Sequence, residues 1–533
     1  MSFVTQVKVG KHTYLYEATA YRNENGEPRN KKHPIGKIDP RTGEAVYKPE
    51  YIDRMAEAGT PVASVAQPMQ APMFTIADIQ GSHIREFGAY YLFQRISESV
   101  GLSDILEASV PDCWAEVLTL AIYLVCTEDP FMYCSLWMES TETLPVGDLS
   151  SQRISRLLKG ITESCRSRFY GAWCRYRRER EYLALDITSI SSWSELIEDV
   201  EWGHNRDHDD LPQVNLCLLM GEKSRLPVYQ TMYSGSLKDV STLSATIDQV
   251  SQYLGDSEIL LVMDKGFFSK ANVDAMLASE KPLRFIIPVP FTAKFAKNQV
   301  HSEKKDIDRV ENTIVSGKDS VRGVTKVRAW GNGSSLYTHI YFNARKAAQR
   351  KEELYAHVSE LVRIAREDPA NKNLQREFQK YLIVRASSKN EAGHTVNVRE
   401  NVIERELETS GWLVLVSNHI ANPREALHTY RAKDVVEKGF FRLKNSMDLN
   451  RLRVHSQESA LSKSFVGFLS LILLSHIHNV MLERELYKRF SIKELILTLS
   501  KLRVQYINGQ RILFPVTKTQ RLLFEAFNVE LPA

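Results

Sequence analysis

The chain has 533 residues, 43% of them hydrophobic and 25% charged, with a net charge of +4. That length and apolar content suit several domains with at least one large core, and they exclude a disordered or fibrous protein. Six cysteines with no C-x-x-C pair and no companion histidines exclude a zinc finger and are expected to be reduced, buried thiols.

In chain order, Met1 to Lys11 lacks the apolar stretch of a secretory leader. Residues 12–38 alternate like strands around Asn25-Gly26, which predicts an N-terminal β-hairpin region over 1–60 with a basic return strand. Residues 60–75, rich in Pro, Ala and Gln, read as a linker. Helical spacing follows at Leu92, Ile96 and Val100, along Ala115 to Val125, and at Ile154, Leu157, Leu158 and Ile161, so 76–180 is a helical region. Strands are then expected at 182–187, 213–220, 227–233, 258–263 and 284–289, with helices at 240–254 and up to Leu277. That order predicts an open α/β sheet.

The pattern breaks near residue 290. Glycine-punctuated strands at 308–345 and charged helices at 346–383 read as an insertion over 291–404. The α/β domain is expected over 181–290 and 405–480, with a buried strand at Trp412 to Ser417 and a long helix from Pro423 to Lys444. The apolar run Phe465 to Val480 carries Ser470, Ser475, His476 and His478 and reads as a buried helix rather than a membrane span. Residues 481–533 read as a helical tail.

Charge is unevenly placed. Residues 153–180 hold nine Arg/Lys against two Glu, whereas 181–210 hold nine Asp/Glu against one Arg. A basic stripe beside an acidic pocket suits a polyanion ligand handled with metal ions, although a solvated helix next to an acidic loop has the same composition. Within the acidic run, His204, Asp207, His208, Asp209 and Asp210 read as a polar connection before Pro212. Trp330 reads as a packing residue of a hairpin. No Walker loop and no nucleophile triad is present.

Three carboxylates carry the chemistry. Asp186 interrupts the apolar strand LALDITSI, where a charge is costly unless paired or metal-bound. Asp264 ends the apolar run EILLVM, a place where open sheets present ligand-binding residues. Glu437 lies on the long helix, sharing a face with Tyr430, Lys433 and Lys444 at spacings of three, four and seven. Eight Arg/Lys stand against four Asp/Glu between Arg431 and Lys463.

The order Tyr430, Lys433, Glu437, Lys444 resembles the Y-x2-R-x3-E-x6-K signature of bacterial insertion-sequence transposases of family four, with Lys433 in place of the usual Arg. Lysine keeps the charge but loses the bidentate fork. LALDITSIS and VMDKGFFS resemble the two aspartate segments of that group, and GKIDPRTGE resembles the start of its subgroup named for insertion sequence sixteen thirty-four. The resemblance is firmest over 181–290 and 410–480. Over 291–400 it rests on position and size.

The resemblance implies a ribonuclease H-like α/β catalytic domain interrupted before its glutamate-bearing helix, and the gap of 173 residues from Asp264 to Glu437 agrees. The helical region is expected to read the transposon ends, helped by the basic hairpin, because of its stripe Arg166, Arg168, Arg175, Arg177, Arg178 and Arg180. Asp186, Asp264 and Glu437 would be catalytic and would hold two Mg²⁺ or Mn²⁺ ions. Partners would be the transposon inverted-repeat ends and target DNA, bound by a homodimer in a bacterial cytoplasm. Tyr430, Lys433 and Lys444 would contact DNA. Arg431, Arg442, Arg175, Arg177 and Arg178 are expected to join them from the local excess of positive charge. A nuclease that only hydrolyses DNA, or a catalytically silent DNA-binding relative, would share most of these features.

Overall fold

The computed structural model describes the chain except for residues 1, 10–11, 23–27, 41, 58–77, 79–80, 178–180, 208, 255–257, 281–282, 317–318, 332, 387–393 and 533. The expected linker at 60–75, the Asn25-Gly26 turn, Arg178 and Arg180 lie outside the described residues. The chain divides into two compact units, Met1–His83 with Gln505–Ile512, and Ile84–Val504 with Leu513–Ala533.

In the first unit the expected hairpin is part of a larger sheet. Ser2–Val9, His12–Arg22, Pro28–Ile38 and Ala45–Tyr47 pair antiparallel in that order. Leu15, Ile35 and Tyr51, the last from the helix Pro49–Glu57, form its small core. The first strand escapes sequence reading because its apolar residues Val4 and Val9 are exposed, so no buried face marks it.

The second unit is built on one nine-stranded mixed sheet. Leu183–Ser191, Gln213–Gly221 and Pro227–Ser234 run antiparallel. Ile259–Met263 lies parallel to Leu183–Ser191 on one side and to Leu283–Pro288 on the other. Being buried on both faces, these strands read as continuous apolar runs rather than alternating ones. Six helices over Gly88–Ser99, Leu102–Ser109, Trp114–Thr127, Cys134–Ser140, Ser151–Gly160 and Glu163–Tyr176 precede the sheet. Leu92, Ile96, Ile154, Leu157, Leu158 and Ile161 are buried there.

The expected insertion behaves as two different things. Its strands Thr313–Ser316, Asp319–Gly331 and Ser334–Phe342 do not form a separate sheet; they extend the main one through Trp412–Ser417. Only the segment after Phe342 stands apart, and it returns at Trp412, which is registered opposite Phe342. That segment carries the helices Ala344–Glu367, Gln375–Tyr381 and Glu400–Glu408 and has its own core around Leu354, Leu361, Phe378 and Ile403. It is in effect a very long hairpin loop that folds on itself.

The apolar helix is longer than expected, running Gln457–Glu483 over 27 residues. Length and composition alone would let it cross a membrane. Instead it packs on Trp114–Thr127, Ser151–Gly160 and Pro227–Ser234, and two of its buried serines find partners there. Ser470 donates to the carbonyls of Ala121 and Val466, and Gln230 donates to Ser464. Beyond it, 481–533 is not wholly helical: strands Arg503–Ile507 and Gln510–Leu513 flank a left-handed Asn508-Gly509 turn. The six cysteines are free thiols, three of them only partly buried.

His339, fully buried in its strand, is pushed down to about 4 by burial, although the Ile420 backbone partly offsets this. A histidine held below its unfolded value of 6.5 contributes stability above that pH, which is lost as pH falls toward the folded value. Going from pH 7 to pH 5 is expected to cost about 2 kcal/mol through this group. Urea unfolding of wild type and His339→Gln at both pH values checks it: the variant should lose that much less.

Candidate active site

Asp186 is the one residue of Leu183–Ser191 that is not fully buried. Its Oδ1 accepts from the Ile187 amide at 2.8 Å. Asp264 follows directly on the strand Ile259–Met263 and opens a tight turn over Lys265–Phe267. Because its strand is the parallel neighbour of the Asp186 strand, with Leu185 opposite Met263, the two carboxylates emerge side by side. Gly266 leaves room in the turn for Asp239, whose Oδ2 would lie 2.6 Å from a Cβ at that position.

The single helix expected from Pro423 to Lys444 is two, Pro423–Arg431 and Asp434–Ser446. Between them the amides of Lys433, Val435 and Val436 bond three residues back, a tightened turn in place of regular helix. Asp434 and Glu437 fall in the first turn of the second helix, where the dipole favours carboxylates. Gly439 lets this helix lie close on the sheet, since a Cβ there would meet Met220 Sδ at 2.4 Å.

The break delivers Lys433 inward, and its ammonium sits among all three expected carboxylates. Nζ is 2.7 Å from Glu437 Oε1, 3.6 Å from Asp186 Oδ2 and 3.7 Å from Asp264 Oδ1. The lysine side chain is 7% exposed, whereas that of Glu437 is 57% exposed. Burial pushes the Asp186 carboxyl up to about 6, against the pull of Lys433 and with a further push from Asp264. For Lys433 burial opposes the charge, but Asp186, Glu437 and Asp264 together hold it well above its usual value. Tyr430 packs beside the cluster and is raised to about 12, first by burial and then by Asp264.

Among the described residues no group of three or more His, Cys, Asp or Glu is spaced to hold a metal ion directly. The donors are nevertheless hard oxygens, those of Asp186 mostly shielded from solvent, gathered round a single positive charge. That chemistry suits Mg²⁺ or Mn²⁺. Asp186, Asp264 and Glu437 are the residues that would hold it.

The remaining basic residues are placed differently. Lys444 pairs with Asp207 at 2.5 Å and Arg451 with Asp209 at 2.8 Å, so the acidic loop ties the Glu437 helix and its extension to the sheet. Arg431 pairs with Asp319 at 2.7 Å, on a strand that extends the sheet. Arg442 lines a separate cavity. Arg175 is exposed. Arg177, expected to contact DNA, turns inward to a buried pair with Glu181 at 2.6 Å, whose other oxygen accepts from the Lys223 and Ser224 amides. Arg166 and Arg168 likewise donate to the Ile161 and Ser109 carbonyls. Much of the basic stripe therefore joins helices to their neighbours, because a guanidinium has donors enough to close several orphan carbonyls.

Arg206 was not anticipated. It donates to Asp239, whose carboxylate backs the Asp264 turn, and its charge also reaches Asp186. Its position within the acidic run, HNRDHDD, is the only sequence signal for it. Trp330 is a packing residue, donating to Asp274 at 2.8 Å and meeting Phe268 and Phe295 edge-on.

A family model described as a transposase DDE domain matches residues 177–473, more than half of the chain. No curated protein matches. Among solved structures, the piggyBac transposase synaptic complex with hairpin DNA is similar at 10% identity and a TM-score of 0.36, over 77% of this chain and 69% of that one.

Proposed function

The chain belongs to the transposase DDE-domain family, and from that premise we propose that it cleaves transposon ends and joins them to target DNA, using Asp186, Asp264 and Glu437 as the acidic set. The observation that carries this reading is the convergence of those three side chains on the Lys433 ammonium, from two neighbouring strands and one helix. The matched span begins just before the first aspartate strand and continues past Lys444.

The finer features follow from the same premise. A ribonuclease H-like domain is supported by three antiparallel strands followed by two parallel ones, with Asp186 on the first and Asp264 at the end of the fourth. Membership of insertion-sequence family four, and of the subgroup of insertion sequence sixteen thirty-four, rests on Tyr430, Lys433, Glu437 and Lys444 and on GKIDPRTGE. A bacterial cytoplasmic setting and a homodimer on DNA go with that assignment.

Two Mg²⁺ or Mn²⁺ ions, when bound, would stabilise the attacking and leaving oxygens of a phosphoryl displacement. The chain's own part is to gather the carboxylates. Asp186 is fixed through the Ile187 amide, Asp264 by the turn at Gly266, and Glu437 by the helix packed on Met220. Lys433, once its carboxylates have other partners, is placed to face a DNA phosphate.

The experiment is an assay on linear DNA carrying the element's own ends, taken from its flanking sequence, with and without Mg²⁺ or Mn²⁺. Metal-dependent cleavage followed by joining is the expected result. Cleavage without joining would leave a nuclease, and binding with no metal-dependent chemistry would leave a silent DNA-binding relative.

A further inference from the structure

The helix that carries Glu437 has a second polar stripe. Asp434, Lys438 and Arg442 recur every four residues, about 100° round from the Glu437 face. With Lys223, Arg225 and Arg431 they line a cavity of about 600 Å³. Its carboxylates are Glu222 and Asp434, which leaves an excess of cations. Arg431 and Lys438 are matched, by Asp319 at 2.7 Å and by Asp434 at 2.5 Å. Lys223, Arg225 and Arg442 form no ion pair among the described residues.

Two further observations mark these cations. Arg225 holds a left-handed backbone, φ +55°, in the turn closed by Gly221 and Leu226. That conformation is unfavourable for a side chain of this kind, and such strain clusters where a ligand is held. The positive charge is also crowded. Burial and then Arg225 keep the Arg442 guanidinium below its usual value despite Tyr487. His478, on the same wall, is pushed down to about 4 by burial and by Arg442, Arg225 and Lys438. Like charges gathered on the walls of one cavity repel each other and raise the local concentration of anions, so an anion bound among them is favoured.

We propose that this cavity binds a phosphodiester of the DNA backbone, separately from the carboxylate cleft, so that one helix holds DNA on two of its faces. The proposal rests on the reading that the protein acts on DNA. DNA is favoured over a small free anion because the cavity shares its walls with the cleft. The helix Asp434–Ser446 carries both Glu437 and Arg442, and the Gly221–Leu226 turn joins the neighbour of the Asp186 strand to the next strand out. A duplex engaged at the carboxylates has its neighbouring phosphates close at hand.

Binding of a random-sequence duplex by the full chain, measured by fluorescence anisotropy over a series of NaCl concentrations, tests this. Each neutralised phosphate contributes about 0.9 to the slope of log K against log salt. Arg225→Gln/Arg442→Gln is expected to lower the slope by about 2 and to weaken binding roughly tenfold at low salt. Arg350→Gln/Arg363→Gln, with the same loss of charge on the helix Ala344–Glu367, should match wild type. Lys223→Gln, at an exposed position with little bearing on folding, should lower the slope by about 1. A wild-type slope in both pocket variants would overturn the proposal. So would loss of pyrophosphate binding, read by calorimetry, with DNA binding unchanged, since that result describes a free-anion site. Failure of the wild type itself to bind duplex DNA would instead overturn the transposase reading.

Discussion

Asp186→Asn is expected to lower metal-dependent cleavage of transposon ends by about a thousandfold or more, on the order of 4 kcal/mol in the barrier. Duplex DNA binding should stay within about threefold, since affinity for the backbone comes from cations and not from carboxylates. The substitution is unusually clean. Asparagine has nearly the shape of aspartate and can still accept from the Ile187 amide. Burial holds the Asp186 carboxyl above its unfolded value of 3.8, at about 6, so the fold favours the protonated form. That contribution is complete at low pH and is lost as pH rises through about 6. At neutral pH the native charge is therefore a cost, and a neutral amide relieves it. Lys433 keeps Glu437 at 2.7 Å and Asp264 at 3.7 Å. The check is a cleavage assay alongside urea unfolding at pH 7. Lost cleavage in a variant at least as resistant to urea as wild type places Asp186 in the chemistry, whereas retained cleavage would remove it from the acidic set.

The acidic set was legible because each residue breaks a local rule. Asp186 is a charge in a strand whose other members are all buried, and Asp264 stops a buried apolar run. Glu437 was found by its spacing to Tyr430, Lys433 and Lys444, and that spacing survived the helix break because the three-residue turn at Ala432-Lys433 nearly preserves helical advance. The break itself left no mark. It has no proline or glycine, and what stabilises it is the ion pairing of Lys433 with residues 247 and 169 positions earlier in the chain. Likewise, glycine-rich strands after residue 308 look like a new domain, because local pattern does not say which edge a strand joins. Pairing of Ser334–Phe342 with Trp412–Ser417 settles that only in three dimensions. The arginine stripe shows the same gap from another side. Arg175 and Arg177 are adjacent in kind and sequence, yet one is exposed and the other is locked to Glu181. Composition cannot separate a guanidinium that meets solvent from one that closes a helix end.

Lys433→Met is the sharpest test of what holds the site together. With the ammonium removed, three carboxylates face one another with no cation between them, and the largely desolvated Asp186 loses the pull that Lys433 exerts on its charged form. Breaking a buried pair from one side usually costs 3–5 kcal/mol. Glu437 is exposed enough to turn to solvent, so a loss of about 3 kcal/mol is expected here. The measurement is urea unfolding of the variant and wild type, each with and without millimolar Mg²⁺ or Mn²⁺. If the carboxylates form a cation site, the added metal should restore much of the lost stability in the variant and change wild type less, because in wild type the ion must compete with Lys433. Linkage sets the scale: an ion bound at a hundred times its Kd adds about 2.7 kcal/mol. A variant as stable as wild type without metal would mean that Lys433 does not bind the three acids together. A destabilised variant on which metal has no effect would mean that the acids gather round a lysine for structural reasons alone, and Asp186, Asp264 and Glu437 would lose their assignment as metal ligands.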